Sequence, residues 1–318
     1  MDDQSVRVRR YYEANTRWML ARGSGRGEGV IHRPVWLPGA SRRRQAVRSV
    51  EALIRDRLAA AGALETPSPA AEAGGYQSRR LHLLDLGCGA GGTAVWLAER
   101  LPVAITGITL SAAQVREARE LARRRGVQER CRFVEGDFLE APTGHTPGAD
   151  GGSVDAAYAI EAFSHASDPG VFLDQAARRL DCDGLLFLCD DFAAFPDGPG
   201  EGAGPCGKLP QGDPAASRRR DRWLEGFRRG WHLGPLPSDG EVTAAARRRG
   251  LERIERIDLS PYLRNHPVRA RMGYALLGML PGRGPWVSSR RGGAALQVCL
   301  GRHWVRYLFL VFQKRCAL

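Results

Sequence analysis

Apolar residues in this chain recur with two different periods, and the change from one to the other is ordered. Between residues 80 and 195, short apolar runs alternate with stretches where apolar positions return every three or four residues. The runs predict strands at 81–87, 103–108, 132–136, 154–160 and 185–189. The stretches between them predict helices starting near Thr93 and spanning 111–125 and 172–180. This alternation implies a parallel sheet covered by helices on both faces. Ahead of it, 6–21 reads as a helix with Tyr12, Trp18 and Met19 towards one side. Residues 42–63 read as an amphipathic helix on Val47, Val50, Leu53, Ile54 and Leu58. Behind it come expected helices at 218–229 and 241–249 and strands at 251–259 and 304–313.

Punctuation by Gly and Pro divides the chain further. TPSPAAEAGGYQS at 66–78 reads as a linker, and 141–153 as a loop. The Gly- and Pro-rich stretch 195–214 reads as a mobile loop or lid. The expected organisation is an N-terminal helical cap (1–70), a core (71–195), a loop and helical lid (196–250) and C-terminal strands completing the sheet (251–318). No internal repeat is present.

Composition narrows the class. A chain of 318 residues with 43% hydrophobic and 26% charged residues is long enough for a core that needs no staples. Seven cysteines, none in a CxxC pair, argue against a disulfide framework and a zinc site. The start, MDDQSVRVRR, has no apolar signal segment, and Tyr307 to Phe312 is too short to span a bilayer. These features predict a soluble cytoplasmic protein. The net charge is +12, with Lys208 and Lys314 as the two lysines among 47 basic residues. An arginine-biased composition accounts for most of that excess; the rest would suit an acidic or phosphate-bearing ligand.

The loop after the first strand carries the chemistry. Asp85-Leu86-Gly87-Cys88-Gly89-Ala90-Gly91-Gly92 also satisfies GxGxxG, so a dinucleotide site is a rival. Against it, an acid precedes the first glycine, and Thr109 stands after the second strand where a dinucleotide ribose wants a carboxylate. The string resembles motif I (DxGxGxG) of class I S-adenosylmethionine-dependent methyltransferases, on Asp85, Gly87, Gly89 and Gly91. A second matching station is the GDF of Gly136–Phe138. The resemblance covers 80–195 and implies a Rossmann-like methyltransferase fold: an α/β architecture with a seven-stranded, mostly parallel sheet, an N-terminal cap and an inserted lid. It implies S-adenosylmethionine as cofactor, held by Tyr12, Asp85, Gly87, Cys88, Gly89, Gly91, Thr109, Leu110, Gln114, Asp137, Phe138 and Ile160.

Two strings narrow the acceptor. GITLSAAQ (Gly107–Gln114) is similar to the GxTLSxxQ of enzymes that methylate alkene carbon, and AYAIEAFSHASDP (Ala157–Pro169) to a string of sterol C-methyltransferases, departing at Phe163 and Ser164. Prenyl diphosphate C-methyltransferases, which share the architecture, carry a glutamate base in the matching region. The resemblance implies carbon methylation of a small isoprenoid alkene, most simply a prenyl or isopentenyl diphosphate. An alkene has no proton to lose before it attacks a methyl sulfonium. Transfer leaves a carbocation that needs aromatic faces and one general base. Glu161, directly after the strand 156–160, is the expected base, with His165 four residues on.

Trp18, His32, Arg33, Trp223, Phe227, Trp231 and Tyr262 are the expected substrate residues. The tryptophan stripe reads equally as core. Arg218, Arg219, Arg220, Arg222, Arg228 and Arg229 surround that stripe and would suit a diphosphate, with Mg²⁺ and Asn15 as a candidate ligand; their other reading is a solvated helix. The main alternative acceptor is an uncharged terpenoid alkaloid, quinone or sterol, methylated at carbon or oxygen. Nucleic-acid binding driven by the charge lacks a recognised module, and no membrane partner is expected. A homo-oligomer stays open.

Overall fold

The computed structural model describes residues 1–22, 27–61, 80–140, 153–194, 214–278 and 285–316. The expected linker at 66–78, most of the loop at 141–153 and the expected lid loop at 195–213 lie outside the described residues. Seven strands form one sheet: β1 (Leu81–Leu86), β2 (Val103–Thr109), β3 (Cys131–Glu135), β4 (Val154–Ile160), β5 (Leu180–Ala193), β6 (Leu251–Asp258) and β7 (Val305–Lys314). Their order is β3-β2-β1-β4-β5-β7-β6. The first five run parallel, and β7 is antiparallel to both β5 and β6. This is the mostly parallel, Rossmann-like sheet that was expected.

The strands read as nearly continuous apolar runs because both faces are covered. Leu83, Ile105, Tyr158, Phe187 and Phe309 enter one layer of core. Their neighbours in the chain, Leu84, Ala157, Leu186, Leu308 and Leu310, enter the other. From β1 the chain winds outward through β2 and β3, then crosses back to place β4 on the other side of β1. The loops after β1 and β4 therefore diverge at the carboxyl edge, and a crevice opens there.

Ten helices are described: α1 (Asp3–Arg22), α2 (Arg43–Val47), α3 (Ser49–Ala60), α4 (Gly92–Arg100), α5 (Ala112–Arg124), α6 (Pro169–Arg179), α7 (Pro214–Trp231), α8 (Asp239–Arg247), α9 (Pro267–Gly278) and α10 (Pro285–Gly301). Several start signals are local. Ser111 and Asp168 cap α5 and α6 with their side chains, and Ser238 and Glu241 form a capping box on α8. The expected helix at 42–63 is broken at Arg48, whose backbone leaves the helical region (φ −96°, ψ 6°).

Two helices, α9 and α10, lie where the hydrophobic pattern predicted no element. Gly292 and Gly293 disfavour a helix locally. Packing supplies the reason for them, since a Cβ at Gly230 of α7 would lie 2.4 Å from the Gly292 Cα. The two backbones touch, and around them Phe227, Ala295, Val298, Cys299 and Trp304 form a third core. Cys182 on β5 and Cys316 after β7 also pair as a disulfide, with Cα atoms 5.5 Å apart. Cys88, Cys131, Cys189 and Cys299 are free, so this is a single bridge and not the framework that the spacing argued against. The pair continues the β5–β7 register, which a separation of 134 residues conceals in the sequence. Among the described residues no helix is long and apolar enough to cross a membrane.

A buried ionic knot joins α3 and α4 to the strap at 27–37. Glu51 is fully buried and accepts from Arg48 Nη1 (2.8 Å), Thr93 Oγ1 (3.3 Å) and His32 Nε2 (3.1 Å). Arg48 also reaches the carbonyls of Gly92 and Glu28. Burial alone would lower the His32 pKa, but Glu51 outweighs it and raises it. Removing one member of such a knot leaves an uncompensated buried charge. Arg48→Met is expected to cost about 3 kcal/mol of folding free energy, read as a lower urea midpoint at unchanged slope.

Candidate active site

The crevice at the switch of winding is a cleft of about 920 Å³, counting its open mouth. Its floor is the loop after β1. There the N–H groups of Gly87 and Cys88 both donate to the Ile108 carbonyl (3.0 and 2.9 Å). Gly87 adopts φ +94°, and a Cβ on it would lie 2.4 Å from that of Ala162. Only glycine lets the loop lie this close to the segment after β4.

Beneath the loop, Asp85 is 3% exposed, and its Oδ2 has no hydrogen-bond partner. Burial pushes its pKa up to about 7, with Tyr158 and His32 pulling only weakly the other way. A buried, unpaired carboxylate oxygen on a cleft wall asks for a cation.

Most of the residues expected to hold the cofactor line this cleft: Tyr12, Asp85, Gly87, Cys88, Gly89, Thr109, Leu110, Gln114, Asp137, Phe138 and Ile160. Gly91 does not. Its face packs on α5, where a Cβ would lie 2.7 Å from the Ala118 Cβ. Thr109 donates to Gln114 Oε1 (2.5 Å), which fixes the amide beside the loop. Phe138 is wedged edge-on against Phe172. Helix α1 forms the roof. Ser5 donates to Asp137 (2.6 Å), and Glu13 accepts from Ser111 (2.9 Å) and the Ala113 N–H (3.1 Å).

Glu161 and His165 line the same cleft. Glu161 stands at φ +50°, a conformation costing about 1–3 kcal/mol for a non-glycine residue. Its N–H donates to the Cys189 carbonyl (2.8 Å). Its Oε1 accepts from the Arg33 N–H and Nε–H (both 2.9 Å) and from the Tyr307 hydroxyl (3.0 Å). Burial would raise the Glu161 carboxyl, but Arg33 and His32 outweigh it and hold the pKa below the ordinary value. His165 is pushed down to about 4 by burial and is neutral. Its Nδ1 lies 3.3 Å from the His232 carbonyl, so Nδ1 carries the proton and Nε2 accepts from the Tyr12 hydroxyl (2.9 Å).

The remaining expected residues fall in three places. His32 lines the cleft, and Arg33 stands behind Glu161. Trp223 and Phe227 point into the third core, Trp223 against Tyr274 and Phe227 fully buried. Trp231 packs on Phe227 and donates to the Ser289 carbonyl, with the Arg33 guanidinium 5.9 Å from its ring. Tyr262 packs on the outer side of the sheet core, and Trp18 lies near Arg290. The Asn15 amide turns inward to the Tyr11 carbonyl, and no metal-binding group occurs among the described residues. Arg218, Arg219 and Arg222 are exposed, while Arg228 and Arg229 pair with Glu225. None of these arginines lines the cleft.

Sequence reasoning missed Ser5, Asp190, Asp191 and Tyr307. The adjacent acids ending the apolar run LLFLCDD were a readable signal, because that end of a strand faces the crevice. Tyr307 offered none, standing 146 residues from Glu161.

Residues 84–188 match the family model described as a methyltransferase domain. This segment is a methyltransferase domain. Cycloartenol-C-24-methyltransferase 1 of Oryza sativa subsp. japonica is 37% identical over 89 residues, covering 28% of this chain and 24% of that protein. Relatives named as N- and O-methyltransferases match at comparable identity. The chain spans less than half the length of the curated relatives it matches. Two solved structures share the fold over nearly the whole chain. The [4+2]-cyclase SpnF has a TM-score of 0.67 at 23% identity, covering 98% of this chain and 97% of that one. A geranyl diphosphate methyltransferase in complex with GPP and sinefungin has 0.65 at 15%, covering 98% and 99%.

The methyltransferase domain fits S-adenosylmethionine at its own unsatisfied atom, since the Asp85 carboxylate can receive the ammonium of the amino-acid end. Because the ionised carboxylate is the binding form, affinity is expected to fall as pH drops through about 7. Below that the loss approaches tenfold per pH unit. Titration calorimetry from pH 5.5 to 8.5 checks this, and Asp85→Asn is expected to bind weakly with no such dependence.

Proposed function

We propose that this chain is an S-adenosylmethionine-dependent methyltransferase that methylates an alkene carbon of a small isoprenoid acceptor. The observation that carries this reading is Glu161: a partly buried, ionised carboxylate on the cleft wall, with one oxygen fully engaged and the other taking none of those bonds. Asp85, the glycine loop, Gln114, Asp137 and Phe138 hold the cofactor, which when bound supplies an electrophilic methyl group. The alkene's π electrons form the new carbon–carbon bond as the methyl's bond to sulfur breaks and that electron pair stays on the sulfur, leaving a cation on the neighbouring carbon. Tyr12, on the cleft wall beside His165, offers an aromatic face to that cation. The Glu161 carboxylate then removes a proton from an adjacent carbon, and the C–H electron pair restores a double bond. His165 holds Tyr12 in place, since its acceptor nitrogen is occupied.

Charge favours an acceptor without a diphosphate. The arginines of α7 lie away from the cleft, and Arg33 is already engaged by two carboxylates. Glu161 lines the cleft, and the buried acids Asp190 and Asp191 stand behind it. A diphosphate would need Mg²⁺ to approach it. Transfer to oxygen or nitrogen is the second reading, favoured by the relatives that bear those names.

The test incubates the protein and S-adenosylmethionine with cycloartenol, geraniol, and geranyl diphosphate plus Mg²⁺. The expected product gains one CH₂ on carbon from an uncharged acceptor, and Glu161→Gln loses about 100-fold or more of the rate. Geranyl diphosphate methylated in preference to geraniol would reverse the charge argument. Methylation at a heteroatom, undisturbed in Glu161→Gln, would sink the alkene reading.

A further inference from the structure

Arg33 is gripped from three directions. Its backbone N–H and Nε–H both donate to Glu161 Oε1, and Nη2 donates to Asp191 Oδ2 (2.7 Å). The guanidinium carbon lies 4.1 Å from the centre of the Tyr307 ring, whose hydroxyl bonds the same Glu161 oxygen. Three donors thus converge on Oε1, which exceeds its two lone pairs. A proton arriving at Glu161 must go to Oε2.

We propose that Arg33 is the positioning residue of the site: held by Asp191 and Tyr307, it keeps the Glu161 carboxylate ionised and leaves Oε2 as the atom that receives the acceptor's proton. This rests on the reading of Glu161 as the base.

The groups around Glu161 show how much depends on one cation. Arg33 and His32 come from the strap, Tyr307 from β7, and Cys189, Asp190 and Asp191 from β5. His165 comes from the turn after β4, and Tyr12 from the roof helix. His165 and Tyr12 are neutral, and the two aspartates repel a third negative charge. Burial of Asp190 and Asp191 pushes them up to about 7 and about 6, so they share the shortage of positive charge. His32 also holds the Glu161 carboxyl down, less than Arg33 does, and is paired with Glu51. Without Arg33, burial and both aspartates act on Glu161 in the same direction, towards protonation. A protonated Glu161 cannot take a proton from a cation. An Arg33 that only braced the fold through Asp191 would affect stability and leave the Glu161 titration where it is.

The experiment needs no acceptor. Protein carrying ¹³C at the glutamate carboxyl gives a resonance for Glu161, assigned by its absence in Glu161→Gln. In the wild type it is expected to titrate below the ordinary carboxylate range. Arg33→Met is expected to raise its proton affinity about tenfold or more, one pH unit in the midpoint. Arg33→Lys, which keeps the charge and the backbone donor, is expected to move it the same way by less. An unmoved titration in Arg33→Met overturns the proposal. If that variant does not fold by circular dichroism, an unmoved Arg33→Lys overturns it.

With an acceptor in hand, the acid limb of kcat should move upward with the carboxyl. Affinity for S-adenosylmethionine should stay within about threefold, because Arg33 lies outside the cleft lining. The two readings fail separately. Methylation that survives in Glu161→Gln removes the base whatever the titration shows. A dead Glu161→Gln with an unmoved titration keeps the base and removes Arg33.

Discussion

Buried acid has to be matched by a cation or be protonated, and the carboxyl edge of this sheet concentrates buried acid. Asp85, Glu161, Asp190 and Asp191 all stand at or just past the ends of β1, β4 and β5, and Glu51 lies behind them. The counter-charge comes largely from one short strap at 27–37 and the arginine after α2. His32 serves Glu51, Arg33 serves Glu161 and Asp191, and Arg48 binds Glu51 and the strap itself. The Gly29 carbonyl also accepts the first N–H of α4 (3.1 Å). The loop at the cleft floor and the carboxylate beyond it are therefore held by the same few residues. At the cleft, Asp85 Oδ2 has no hydrogen-bond partner, and a ligand can supply the charge there.

Much of this was legible in the sequence, and the legible parts share a cause. Strand runs, amphipathic stretches and the glycine string are local, and local chemistry fixes them. Asp85, Gly87, Gly89, Asp137 and Glu161 could be found because each stands at or just after the carboxyl end of a strand, where a parallel sheet presents its ligands. Trp223 and Phe227 show the opposite case. A stripe of aromatics at helical spacing has the same pattern whether it faces a substrate or another helix. What decides between them here is α10, made possible by Gly292, a residue that argues against a helix when read alone. Tyr307 and the Cys182–Cys316 pair are joined to their partners only by sheet register, across more than a hundred residues.

The arginine excess illustrates how composition can mislead about chemistry. Most of the basic residues of α7 face solvent or pair with Glu225, while Arg33, isolated in the sequence, meets two carboxylates and an aromatic ring. Density of charge along a chain says little about density of charge in a cleft. Burial makes the difference, because a guanidinium screened by water contributes little to a site several residues away.

Helix α1 reaches three strand ends at once: Glu13 at the start of α5 after β2, Ser5 at Asp137 after β3, and Tyr12 at His165 after β4. A rigid rod touching three loops measures the distances between them. Lengthening any one of those loops by a residue would lift the rod from the other two, so none can drift in length independently. Among the described residues, α1 makes no hydrogen bond to the turns at the opposite, amino-terminal edge of the sheet. Tolerance of insertions and deletions should therefore be lopsided across the fold, with the cleft side frozen in length and the far side free to vary.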